Sequence, residues 1–127
     1  MLYREAPLNG IWEGSGNVIC LDVLRTLARE PRATAALEAD LSAARGADRR
    51  FDLAMDAAMS ALARPEEAQA RVLVERLALL AQAAELMRTG PDLVADAFIA
   101  ARLGGDWGRT PETLPRGTDA AALAAMI

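Results

Sequence analysis

Val72-Leu73-Val74-Glu75-Arg76-Leu77-Ala78-Leu79-Leu80-Ala81-Gln82-Ala83-Ala84 is apolar on almost every side of a helical wheel. A helix of that kind is surrounded by other helices, because a surface helix needs only one apolar stripe. This stretch therefore predicts the centre of a helical bundle. Pro65 upstream suits the first position of a helix, and Glu66 and Glu67 place negative charge where the helix dipole favours it. Gly90-Pro91-Asp92 closes the element with a tight joint. The central helix is thus expected to run from Pro65 to about Gly90.

Working outward, Leu93, Val94, Ala97, Phe98 and Ala101 are spaced as the inner face of a following helix that ends at Gly104. On the other side, Asp48 is placed to cap a helix through about Ala63, with Phe51, Met55, Met59 and Leu62 as its apolar stripe. Gly46 fits the left-handed position after a helix that starts at Pro31 and runs to Arg45. Glu30-Pro31 ends a first helix over residues 18–28, whose Leu21, Leu24 and Ala28 face inward and which Asn17 can cap. Pro7, Gly10, Gly14 and Gly16 make residues 1–17 an irregular leader. Residues 105–117 read as a loop, followed by a short turn capped by Thr118 or Asp119. No strand-like alternation and no internal repeat is present. The expected fold class is all-α: an up-and-down helical bundle of about five helices over residues 18–127, with a loop-rich tail.

Composition fits one domain of this kind. The chain has 127 residues, 53% of them hydrophobic and only 4% aromatic, so the core is built from Ala, Leu, Val and Met. Cys20 is the single cysteine and histidine is absent, which excludes an internal disulfide and a zinc-type ligand set. Cys20 itself is expected to be a buried, inert thiol. No apolar run reaches the roughly 20 residues of a membrane span, and the N-terminus lacks the pattern of a signal peptide, so a cytoplasmic location without membrane contact is expected. Fourteen basic residues, all arginine, against eighteen acidic ones give a net charge of −4, the wrong sign for phosphate binding as a global property.

The remaining signal lies in the leader. Tyr3-Arg4-Glu5-Ala6 with Ile11-Trp12-Glu13-Gly14-Ser15 closely resembles the segment that precedes the last bundle helix of acyl-CoA dehydrogenases, in the adaptive-response, AidB-like branch. Cys20-Leu21-Asp22-Val23-Leu24-Arg25, Asp48-Arg49-Arg50-Phe51-Asp52, Trp107-Gly108-Arg109-Thr110 and Leu114-Pro115 follow in the order expected of that branch's C-terminal region. The resemblance implies that residues 18–29 correspond to the last dehydrogenase helix and 31–127 to a C-terminal extension, with several hundred residues upstream in a complete member. Met1 would then begin either an expressed fragment or a truncated reading frame.

The same resemblance implies a chemistry. These flavoenzymes oxidise the α,β bond of acyl-CoA thioesters with FAD, and Glu13 stands where many members keep the catalytic base. Trp12 would line the cavity wall. Gly14 and Gly16 would allow close backbone approach to the cofactor, and Ser15 and Asn17 would meet FAD with polar groups at a helix N-terminus. Taken alone, Glu-Gly-Ser-Gly-Asn before a helix is a common turn-and-cap pattern. Most of the flavin site is implied to come from regions upstream, so the isolated chain is expected neither to hold FAD nor to turn over. Its expected role is structural, with self-association into a homo-oligomer through uncovered apolar faces.

The branch is also associated with binding double-stranded DNA through basic residues of the extension. Arg45, Arg49 and Arg50 form the one dense basic group, at a helix start where phosphate could meet free N–H groups. Asp40, Asp48, Asp52 and Asp56 surround them in sequence, the pattern of a solvated salt-bridge face. Trp107 reads as an anchor that packs the tail onto the bundle, with Arg109 making a local hydrogen bond.

Overall fold

A computed structural model describes residues 16–105, 115 and 117–126. Five helices of substantial length follow one another: α1 (Gly16–Arg29), α2 (Pro31–Ser42), α3 (Arg49–Leu62), α4 (Ala70–Thr89) and α5 (Asp92–Arg102). A five-residue helix, α6 (Ala120–Ala124), comes last. No strand occurs among the described residues, and the all-α bundle expected from the periodicity is what the chain forms.

The helix boundaries have local causes. Pro31 occupies the start of α2, where its missing N–H costs nothing. Thr34 Oγ1 then donates to the Leu27 carbonyl at 2.8 Å, tying the new helix back to α1. The α-helical part of α2 ends at Ser42, short of the expected Arg45, because the chain tightens into successive three-residue turns: Ala44 N–H donates to Leu41 and Arg45 N–H to Ser42, each at 3.1 Å. Gly46 follows at φ +85°, the left-handed conformation assigned to it. Asp48 caps α3, its carboxylate accepting from the backbone N–H of Arg50 at 2.7 Å and of Phe51 at 3.3 Å. Asp119 caps α6 in the same way through Ala122 N–H at 2.9 Å.

Two further boundaries differ from expectation. Pro65 does not open the central helix. Glu66 is extended (φ −107°, ψ 125°), Glu67–Gln69 form a 3-10 turn closed by Gln69 N–H on the Glu66 carbonyl, and α4 begins at Ala70. The acidic pair thus lies on the approach to α4, outside its first turn. At the far end of α5 the left-handed glycine is Gly105, at φ +78°, one residue beyond Gly104.

Helix α4 is the hub, packing against α1, α2, α3 and α5, most extensively against α1 and α3. It is not enclosed all round, however. Leu73, Leu77, Leu80, Ala83 and Ala84 are buried, while Ala78 is exposed and Val72 retains 41% exposure. The inward stripe thus repeats at helical spacing within a sequence that is apolar on both sides. Leu24 of α1, Leu41 of α2, Phe51, Met55 and Ala58 of α3, and Ile99 of α5 complete the core. Met59 and Leu62 border it.

The inner faces of α1 and α5 need correction. Ala28 is exposed, while Leu24 is buried as expected and Leu21 and Leu27 pack half-buried against the core. On α5, Ala97 and Ala101 are buried as expected and Phe98 packs half-buried against the core, but Leu93 and Val94 are half-buried and Ala95 and Ile99 are the additional buried residues. Cys20 is likewise half-buried against the core, a free thiol not fully withdrawn from solvent. Among the described residues no polar or charged side chain is buried, and no helix is long and apolar enough to cross a membrane.

Candidate functional site

The expected cofactor segment reaches the described residues only at its end. Trp12, Glu13, Gly14 and Ser15 lie outside them, as do Trp107 and Arg109. Gly16 and Asn17 are both inside the first turn of α1, so Asn17 is a helical residue and not the cap. What Gly16 provides is space for a side chain from α4. A β-carbon built on it would lie 3.3 Å from Arg71 Nη2, tighter than ordinary contact. A guanidinium of α4 therefore lies beside Gly16, the first described residue of α1. Sequence reading missed this pairing because Gly16 and Arg71 belong to different helices.

Such an arrangement suits negative charge, as a phosphate of a dinucleotide would supply. Three clefts among the described residues measure about 210 to 220 Å³ and lie along α2–α4, α3–α4 and the α3–α4–α5 junction, and Gly16 lines none of them. Pockets that engulf a drug-sized ligand run from about 300 to 1,000 Å³. Each of these three clefts is smaller than that range.

The basic group Arg45, Arg49 and Arg50 is brought together at the α2–α3 junction, and two of its members are engaged by carboxylates. Arg45 Nη2 donates to Asp56 Oδ1 at 2.7 Å, an exposed pair that raises the arginine's pKa. Arg50 Nη2 bridges Asp48 Oδ2 at 2.6 Å and Asp96 Oδ1 at 2.5 Å. The Arg50 guanidinium, with help from the backbone N–H groups of the cap, holds the Asp48 carboxyl below its ordinary value despite partial burial. Asp52 accepts from Gly46 N–H at 3.0 Å. Arg49 has no ion-pair partner among the described residues. A second exposed network joins Arg88 of α4 to Asp40 of α2 at 3.1 Å and to Glu85, lowering the Glu85 pKa and raising that of Arg88. It borders the α2–α4 cleft, whose walls are Ala43, Ala44, Ala84 and Met87. No cluster of three or more metal-ligating side chains occurs among the described residues.

Comparison with known sequences decides the relationship. Over 97 residues, 76% of its length, the chain is 38% identical to the Escherichia coli (strain K12) protein named "Putative acyl-CoA dehydrogenase AidB". The chain is AidB-like. It spans 18% of the length of that curated relative, so the match concerns one part of a much longer protein. No protein-family model matches the AidB-like chain.

Proposed function

We propose that this AidB-like chain is the helical, associating region of an acyl-CoA dehydrogenase-like flavoprotein whose complete form oxidises the α,β bond of acyl-CoA thioesters with FAD. The observation that carries this reading is the 38% identity to a relative named as an acyl-CoA dehydrogenase. In a complete enzyme Glu13 is the residue to take the proton from the α carbon, with Trp12, Gly14, Ser15, Gly16 and Asn17 facing the cofactor. In the isolated chain the role is structural. Val18 and Ile19, 47% and 38% exposed on the first turns of α1, offer apolar surface for neighbouring helices or a second copy.

The test is direct. The 127-residue chain, prepared in excess FAD and desalted, should show no flavin absorbance band and no turnover of an acyl-CoA with an artificial electron acceptor. Stoichiometric flavin or measurable turnover would overturn the structural reading. Sedimentation should reveal concentration-dependent association, and a strict monomer at high concentration would remove the oligomer from the proposal. The carboxylates on Arg45 and Arg50 favour an ion-paired surface over DNA binding at the α2–α3 junction. Salt-sensitive duplex binding lost on replacing Arg49 and Arg50 would reverse that preference.

A further inference from the structure

Arg64, Arg76 and Arg102 come from three parts of the chain, yet they line two clefts that have Arg76 in common. Arg64 follows the end of α3, Arg76 lies on α4, and Arg102 is the last residue of α5. Arg76 separates two adjoining clefts of about 220 Å³ each. Arg64 lines the first, over a floor of Ala61, Val72 and Leu73. Arg102 lines the second, over Ala54, Leu80 and Leu103. At ~1.5 Å per residue the floor from Val72 to Leu80 runs about 12 Å along α4.

The electrostatics of this groove oppose those of the chain. The molecule carries a net charge of −4, and its described ion pairs use Arg25, Arg45, Arg50 and Arg88. None of the three groove arginines has a carboxylate within 4.0 Å among the described residues. Glu66 is the one acidic residue among the side chains lining the two clefts. Guanidinium groups with no ion-pair partner among the described residues, beside an apolar floor, match a ligand carrying both carboxylates and apolar side chains.

We propose that the α3–α4 groove docks an acidic amphipathic peptide segment of a partner protein. Its apolar residues sit on the Ala, Val and Leu floor and its carboxylates meet Arg64, Arg76 and Arg102. Each cleft is too small to engulf a drug-sized molecule, while a row of two shallow clefts suits a segment lying across the surface. A nucleic-acid duplex would use the guanidinium groups and leave the apolar floor unsatisfied. The inference is independent of any flavin chemistry.

Fluorescence anisotropy of the full 127-residue chain tests it. The probe is a labelled peptide of about 15 residues with Leu at i, i+3, i+4 and i+7 and Glu elsewhere. The peptide should bind, and binding should weaken by about tenfold or more in Arg76→Glu or when its Glu residues are replaced by Gln. Arg49→Glu should leave the affinity unchanged. Circular dichroism checks the fold of each variant, and Arg76→Gln, which keeps the side chain's length, should give an intermediate loss. The proposal is overturned if the peptide does not bind or if Arg76→Glu binds it as well as the parent chain. It is also overturned if a labelled duplex binds more tightly than the peptide in an Arg76-dependent way. Self-association abolished by Arg76→Glu would instead assign the groove to a second copy.

Discussion

Arg50 Nη2 lies 2.5 Å from Asp96 Oδ1 while holding Asp48 at 2.6 Å, so one guanidinium joins the cap of α3 to the middle of α5. Its two partners differ in environment: the Asp48 side chain is 19% exposed and that of Asp96 65%. Asp96→Ala should therefore cost no more than about 1 kcal/mol, as exposed ion pairs do. Asp48→Ala removes the cap as well and should cost about 1–2 kcal/mol. Urea unfolding of the two variants should rank them in that order.

The same carboxylate predicts an acid dependence. Its folded pKa lies below the ordinary value of 3.8, so its contribution is present above that pH and is lost as pH falls through the folded pKa. Denaturation midpoints measured from pH 6 to pH 2 should fall more steeply for the parent chain than for Asp48→Asn. Parallel curves would show that the cap and the Arg50 contact contribute nothing differential.

Two glycines should respond oppositely to alanine. At Gly46 the left-handed φ of +85° penalises any β-carbon by about 1 kcal/mol or more, although nothing crowds the site. At Gly16 the obstacle is the end of the Arg71 side chain, which can move aside, and the added methyl favours the helix. Thermal unfolding should show Gly46→Ala lowering the midpoint and Gly16→Ala leaving it unchanged or raised.

Leu80 has no exposure and sits at the crossing of α4 with its neighbours, whereas Leu53 on α3 is 60% exposed. Leu80→Ala should cost about 2–5 kcal/mol through lost burial and the cavity left behind. Leu53→Ala should change stability by about 0.5 kcal/mol or less. Equal losses would mean that the outer face of α3 is covered in solution.

Much of the fold was legible because it is written in local chemistry. Pro31, Gly46, Asp48 and Asp119 mark boundaries through backbone rules that act within a few residues, and each does what its residue type dictates. Pro65 misled because proline is equally at home before a 3-10 turn. The choice of Ile99 over Phe98 as the deepest residue of α5 depends on how that helix is rotated against α4, which periodicity constrains only loosely in so short an apolar segment. The groove arginines were illegible for a related reason. Arg64, Arg76 and Arg102 look like isolated surface charges until three helices place them together, whereas the conspicuous Arg45, Arg49 and Arg50 group came with its own acidic neighbours.

The core, with no buried polar side chain among the described residues, has a consequence for how the helices hold their register. Alanine and leucine surfaces slide past one another at little cost, and no internal hydrogen bond penalises a shifted alignment. Among the described residues the directional contacts between helices are at the rim: Thr34 on the Leu27 carbonyl, Arg88 on Asp40, and Arg50 on Asp96. Burial in this bundle supplies the cohesion, and these polar contacts add direction at its edge, where exposed pairs are worth about 1 kcal/mol or less each.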